Sequence, residues 1–277
     1  RAADARLRER AQHGGTVSAL LSLALTEGLI DTAVVAEDRE RFLHSGAAVH
    51  EPGEVWKRGG SKFIVSPTVA EFNRAAADGG AGKIGVVATP CQAFALARMR
   101  LKPKLDSGRN PIDRLGLVIG LFCGFALSWS KLTALLERSV GLDAIRGMDI
   151  PPGEGVLEVY LEGGKRTFPM EEIRDCIREA CRYCIDTTAE YADISVGSAR
   201  LGGNWEKTRT WNQVVVRSEA GAALLGGHSV ADPDKYRDPE KIEEWKKRDA
   251  AGRRAPDNCL ACDDFYEWWF AVQNNTI

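Results

Sequence analysis

The chain has 277 residues, 44% hydrophobic and 27% charged, enough to bury a large core as one big domain or two smaller ones. A formal net charge of −2 and a pI near 6.2 exclude the basic footprint of a nucleic-acid binder, and the longest uncharged run, 16 residues between Arg114 and Lys131, is shorter than the roughly 18 to 20 that span a bilayer. Seven cysteines, an odd number in a chain that opens with no secretory signal, point to reduced thiols or metal ligation in the cytoplasm and not to a disulfide framework.

In chain order, residues 2–12 are charged with a helical period and run into His13-Gly14-Gly15-Thr16-Val17-Ser18, ahead of an apolar helix over 19–26 that Gly28 closes. Glycines directly before a helix leave its first N–H groups open to an anion, so Gly14, Gly15 and Ser18 form a candidate phosphate seat; an ordinary helix entry fits the same residues. A strand is expected over 30–36. Gly59-Gly60-Ser61-Lys62-Phe63 is a second glycine-rich turn, carrying a lysine and suited to phosphate or ribose or to a plain hairpin, before a helix that begins near Pro67-Thr68. Gly80-Ala81-Gly82-Lys83-Ile84-Gly85 matches G-x-G-x-x-G but precedes the strand over 84–88 where a dinucleotide fingerprint must follow one, which rules it out.

That strand ends in Thr89-Pro90-Cys91-Gln92, with a helix expected over 93–99. A cysteine at the carboxyl end of a strand sits where α/β sheets place ligands and where the helix dipole favours thiolate; nucleophile, cluster ligand and inert thiol all fit it. The strand over 115–122 repeats the arrangement with Cys123-Gly124, after which Ser128 is expected to cap a helix through Arg138. Prolines and glycines around 149–154 mark an internal joint, and 156–168, turning at Gly163-Gly164, reads as a hairpin. Pro169-Met170-Glu171-Glu172 opens a helix carrying Cys176, which fits either a small hydrophobe on a helix face or an extra thiol for a second cluster. The stretch from Cys181 to Ser198 then joins a Cys-x-x-Cys pair, Cys181 and Cys184, to acidic side chains and glycines. A cluster takes four thiolates and this stretch holds two.

Gly14-Gly15-Thr16-Val17-Ser18, Gly60-Ser61-Lys62-Phe63, Thr89-Pro90-Cys91-Gln92, Phe122-Cys123-Gly124, and Cys181-x-x-Cys184-x-Asp186-x-x-Ala189-x-x-Ala192-Asp193-Ile194-Ser195-x-Gly197 occur in this order, followed by a strand, turn and helix over 211–223. Together they resemble the coenzyme F420 hydrogenase/dehydrogenase beta-subunit family over about residues 12–225. The resemblance implies an iron–sulfur flavoprotein subunit holding FAD and a [4Fe-4S] cluster. Such a subunit exchanges electrons between a hydride carrier, coenzyme F420 or another, and redox partner subunits of a hydrogenase, a formate dehydrogenase or a similar complex. The cluster ligands it implies are Cys91, Cys123, Cys181 and Cys184. Thr89, Pro90, Gln92, Asp186, Thr188, Asp193, Ser195, Gly197 and Ser198 would surround the flavin, with Thr89, Gln92 and Asp186 the candidates for catalytic contact. Gly14, Gly15, Ser18, Gly60, Ser61 and Lys62 would lie near its phosphates.

The fold class expected is α/β (α+β), a mixed central sheet with flanking helices and cofactors in strand-end loops. Its parts would be an N-terminal flavin- and cluster-binding part over 1–150, a hairpin with the Cys-x-x-Cys pair over 151–230, and a charged helix with an aromatic tail over 231–277. In the tail, Cys259-x-x-Cys262 is a possible second metal or cluster site, and Phe265-Tyr266-Glu267-Trp268-Trp269-Phe270 is apolar enough to pack on the core or on a partner subunit. Two other classes compete: a thiol enzyme with Cys91 as nucleophile, for which none of the four histidines lies in a motif that marks a base, and a zinc-stabilised interaction module without redox activity.

Overall fold

The computed structural model describes residues 1–39, 43–61, 63–78, 82–102, 110–151, 154–199 and 208–226. Lys62, the Gly80-Ala81 pair, Cys259, Cys262, the charged helix and the aromatic tail over 231–277 lie outside the described residues.

Helices α1 (Ala5–Arg10) and α2 (Thr16–Thr26) lead into the antiparallel pair β1 (Thr32–Arg39) and β2 (Leu43–Val49). The short α3 (Pro52–Val55) and α4 (Thr68–Ala77) precede β3 (Ile84–Ala88), α5 (Pro90–Leu101), β4 (Leu115–Leu121) and α6 (Trp129–Leu136). Then come β5 (Ile145–Asp149), β6 (Val156–Leu161), β7 (Gly164–Pro169), α7 (Met170–Arg174), β8 (Ile194–Ser198), β9 (Asn212–Val216) and α8 (Glu219–Gly226).

The main sheet runs β2-β1-β3-β4-β8-β9. Its four inner strands pair in parallel and both edge strands pair antiparallel, so the sheet is mixed, as expected. Parallel neighbours need crossover connections, which here are helices on both faces. On one face Leu20, Leu21 and Ala24 of α2 pack with Val35, Ile119 and Val196; on the other, Phe72 of α4 and Ala93 and Leu96 of α5 pack with Val86 and Val118. Inner strands covered on both faces read as unbroken apolar runs, which is why Leu115–Leu121 is legible as one.

The second sheet, β5-β6-β7, packs with α6 and α7 around Leu132, Leu136, Leu157, Val159 and Ile173. The hairpin of β6 and β7 turns at Gly163-Gly164, where Gly164 has φ 145, and it gains β5 from the other side of the joint near residue 150. Cys176 follows α7, 4% exposed within this core, as a small hydrophobe.

Two local expectations are corrected. α5 begins at Pro90 and not at 93, because Thr89 and Gln92 form a capping box around a proline in its first turn; Cys91 therefore lies within the helix. Ser128 precedes α6 without capping it, its hydroxyl standing 3.2 Å from Ser130 Oγ.

Asp193 holds the centre of the sheet to its edge. Its Oδ2 accepts from Val118 N at 2.7 Å and its Oδ1 from Ser218 Oγ at 2.6 Å, while its carbonyl accepts from Arg217 N and Ser218 N. α8 packs so closely that a Cβ on Gly221 would lie 2.2 Å from that carbonyl oxygen. Asp193→Ala leaves the buried Val118 N–H unpaired, and the expected loss is about 3 kcal/mol of unfolding free energy, read from chemical denaturation with an unchanged m-value.

Candidate functional site

The parallel strands end at one edge of the sheet, and a cavity of about 350 Å3 opens there. Its floor is apolar, from Leu21, Val35, Val55, Val87, Leu121 and Val196. The first turns of α2, α4 and α5 all reach it through Thr16, Thr68 and Gln92, so three helix dipoles present their positive ends to one space.

Gly15, Ser18, Gly60, Ser61, Thr89, Gln92, Thr188, Gly197 and Ser198 line this cavity, together with Cys123. Gly15 has φ 72 and Gly60 φ 102, backbone that favours glycine. Gly14 serves a different contact: a Cβ there would lie 2.5 Å from Asn212 Oδ1, the atom that accepts from Thr16 N. Gly15 is the N-cap residue of α2, and Val17 and Ser18 in its first turn border the cavity. Gly197 lets the Phe122 ring lie against the strand, where a Cβ would be 2.1 Å from Phe122 Cδ2.

Other predicted residues do not reach the cavity wall. Asp193 bonds within the sheet as described. Ser195 is fully buried, its hydroxyl donating to Ala189 O and accepting from Arg217. Pro90 is buried in the first turn of α5. Asp186 organises a loop, accepting from Thr188 N at 3.1 Å and from Glu190 N at 3.0 Å. The loop closes through Ala189, held at φ 55 with its methyl against β4 at Gly120, where a Cβ would come within 2.4 Å.

Four cysteines gather beside this edge. Cys91 is exposed on α5, its sulfur 3.3 Å from Thr89 Oγ1. Cys123 follows β4, its N–H donating to Thr187 O at 2.9 Å. Cys181 lies in the short turn Glu179–Tyr183 and its sulfur accepts from Ala126 N at 3.4 Å; Cys184 follows, its thiol 3.4 Å from Asp186 O. Burial, and then the nearness of Cys181, Cys91 and Cys184, push the Cys123 thiol up to about 12. Burial first raises the Cys184 thiol too, against the lowering effect of its hydrogen bond to the Asp186 carbonyl, and the charges of Asp186, Cys91 and Cys181 add to the rise. The thiols thus sense one another, yet among the described residues no group of three or more His, Cys, Asp or Glu side chains closes into a metal-binding shell. In number, softness and shared location the set suits a thiolate-bound metal cluster. A nucleophilic Cys91 gains no base from the described histidines. His13 meets Arg209 O, His44 meets Asp38, and His50 meets Thr32 and Asp31.

Several residues of the site escape sequence reasoning. Gln12 donates to Asp149 Oδ1 at 2.7 Å and accepts from Ser61 N at 3.0 Å, joining the N-terminal segment, the glycine turn and the small sheet around the cavity. Asn212 Nδ2 donates to Gly197 O. Arg217 reaches Ser195 Oγ at 3.0 Å and Thr188 Oγ1 at 2.8 Å, and burial lowers its pKa against the pull of nearby Asp186 and Glu190. Only its position in the strand–turn–helix segment after the glycines hints at it.

A family model for the C terminus of the coenzyme F420 hydrogenase/dehydrogenase beta subunit matches residues 81–242, and the corresponding N-terminal model matches residues 1–72. The chain belongs to the coenzyme F420 hydrogenase/dehydrogenase beta-subunit family. It is 30% identical over 228 residues to the coenzyme F420 hydrogenase subunit beta of Methanothermobacter thermautotrophicus, covering 81% of this chain and 78% of that one. It is 31% identical over 229 residues to the subunit of the same name from Methanococcus voltae, with the same coverage. Its fold matches a chain of the F420-reducing [NiFe] hydrogenase complex from Methanosarcina barkeri with a TM-score of 0.77 at 23% identity, over 100% of this chain and 88% of the other. The cavity's walls come from residues that both family models match.

Arg217 is the tie between the loop of Asp186 and the sheet. Arg217→Met removes two hydrogen bonds, and amide exchange at Thr188 and Glu190 is expected to rise about tenfold, measured by hydrogen–deuterium exchange, with exchange in β1 unchanged.

Proposed function

We propose that the chain is an oxidoreductase subunit that passes electrons between coenzyme F420 and a partner subunit, with FAD in the cavity and a [4Fe-4S] cluster on Cys91, Cys123, Cys181 and Cys184. The observation that carries this reading is the placement of Cys91, Cys123, Cys181 and Cys184 beside the edge where an apolar-floored cavity opens, Cys123 lining the cavity itself. Relatives named as F420 hydrogenase beta subunits make the deazaflavin coenzyme the favoured hydride carrier. When bound, FAD takes a hydride as two electrons and releases them singly, and the cluster carries one at a time.

The protein's own part is placement. The apolar floor packs a planar ring and keeps water from it, and Gly197 and Ser198 border the same space. The first turn of α2 beyond Thr16, with Gly15, Ser18, Gly60 and Ser61, suits phosphates, and Lys62 belongs to the Gly60-Ser61 turn by sequence. Thr188 borders the cavity while its loop neighbour Asp186 touches the thiol of Cys184, so one short segment serves both centres. Tyr183 and Ile185 flank Cys184 with 78% and 85% of their surfaces exposed, and a redox partner subunit docking there would cover them. Among the described residues no helix is long and apolar enough to cross a membrane, and we place the work of the subunit in the cytoplasm.

Purified without oxygen, the protein is expected to be brown, to release FAD on denaturation and to reduce coenzyme F420 with a low-potential donor. Cys181→Ser is expected to lose iron and the broad absorbance near the visible edge while FAD stays bound. A colourless protein containing zinc, or a Cys181→Ser variant retaining its iron, would overturn the reading.

A further inference from the structure

The hydroxyls of Ser66 and Thr68, residues that line the cavity, have no hydrogen-bond partner and are hidden from solvent. Ser66 is 6% exposed and Thr68 3%, and they stand together at the entry to α4. Buried hydroxyls are nearly always bonded, so two orphans on one wall of a cavity point to a bonding partner that enters it.

Gln92 decides what this wall has to offer. Its Oε1 accepts from Thr89 N and from Thr89 Oγ1, both at 3.0 Å, and its Nε2 donates to Ser66 O at 2.6 Å. The same Ser66 carbonyl accepts from Thr68 N at 2.8 Å. Thr89 and Gln92 are therefore engaged with each other and with the Ser66 carbonyl, which leaves the hydroxyls of Ser66 and Thr68 as the unpartnered donors of this wall, with that of Thr16 at the entry to α2 a further one in the lining. The positive end of the ten-residue α4 favours an acceptor that gains negative charge. Thr89 also stands 3.3 Å from Cys91 Sγ, which puts this wall on the side of the cavity nearest that cysteine.

We propose that Ser66 Oγ and Thr68 Oγ1 donate hydrogen bonds to the carbonyl edge of a pyrimidinedione ring, the edge that flavins and deazaflavins have in common, with Gln92 as the positioning residue. This rests on the flavin reading above and adds to it the contacts and their orientation. Reduction of such a ring raises the negative charge on that edge, so the two hydroxyls stabilise the reduced form more than the oxidised one.

The test uses the full chain and the variants Ser66→Ala, Thr68→Val and their combination. Each is stripped of ligand, titrated separately with FAD and with coenzyme F420, and followed by ligand-free thermal unfolding and by flavin redox titration. The double variant is expected to bind about tenfold more weakly, to show a lower midpoint potential, and without ligand to be at least as heat-stable as wild type, because no protein partner is lost. Loss confined to FAD assigns the edge to the flavin; loss confined to coenzyme F420 assigns it to the deazaflavin. Gln92→Ala is expected to lower the potential in the wild-type background and to add nothing in the double variant; additive effects would remove its positioning role. Unchanged affinity together with reduced ligand-free stability would overturn the proposal alone, since the hydroxyls would then be structural. A wild-type chain that binds neither compound would overturn it together with the flavin reading.

Discussion

Parallel pairing of β1, β3, β4 and β8 is the constraint on which the rest depends. Parallel strands share a direction, so all four end at one edge, and each crossover helix must start or finish there. α2 and α4 finish before the strands they feed and therefore point their N-termini at this edge; α5 starts directly from β3 at the same level. A cavity ringed by positive helix ends follows from the topology before any side chain is specified. The antiparallel edge strands then limit the sheet's width and supply Asn212 to bind the entry of α2.

Polar side chains near that edge divide by where their hydrogen bonds go. Asp193, Asn212 and Gln12 bond backbone or other side chains on different elements, and each bond fixes one segment against another. A buried carboxylate that accepts from Val118 N and Ser218 Oγ is committed to the architecture. Arg58 behaves likewise: it lines the cavity, yet Glu37 and Glu54 hold its guanidinium at 2.9 and 3.0 Å. Strongly polar residues therefore frame a mostly apolar space, and the groups open to a ligand are small hydroxyls and helix ends.

This division explains how far the sequence can be read. The mixed sheet, the hairpin at Gly163-Gly164 and the position of Cys123 just past β4 are legible because apolar runs, paired glycines and motif order are local signals. The commitment of Asp193 and Ser195 is not local: it depends on Val118, Arg217 and Ser218, which lie 22 or more residues away in the chain. A motif marks a polar residue without saying which of its bonds are already used. β5 is hidden in the sequence for a related reason. Ile145–Asp149 is five residues long, next to a proline-rich joint, and gains its meaning from β6. Gly120 and Gly14 look like any other glycines until Ala189 and Asn212 are seen against them.

Cys123 lines the cavity, and the loop after Cys184 ties the thiols to the same wall. Cys123 N–H donates to Thr187 O, and the next residue, Thr188, borders the cavity and receives Arg217. Cys184 and Asp186 begin the same loop, and Ala189 pins its far end against Gly120 of β4. A shift of this loop would displace a thiol and a cavity-lining residue together. Burial raises the Cys123 thiol and the neighbouring thiols raise it further, so the buried edge opposes its ionisation. The loop lends Thr188 to the cavity lining, and the stretch from Cys181 to Ser198 thus joins two ends, thiols at the first and sheet at the second.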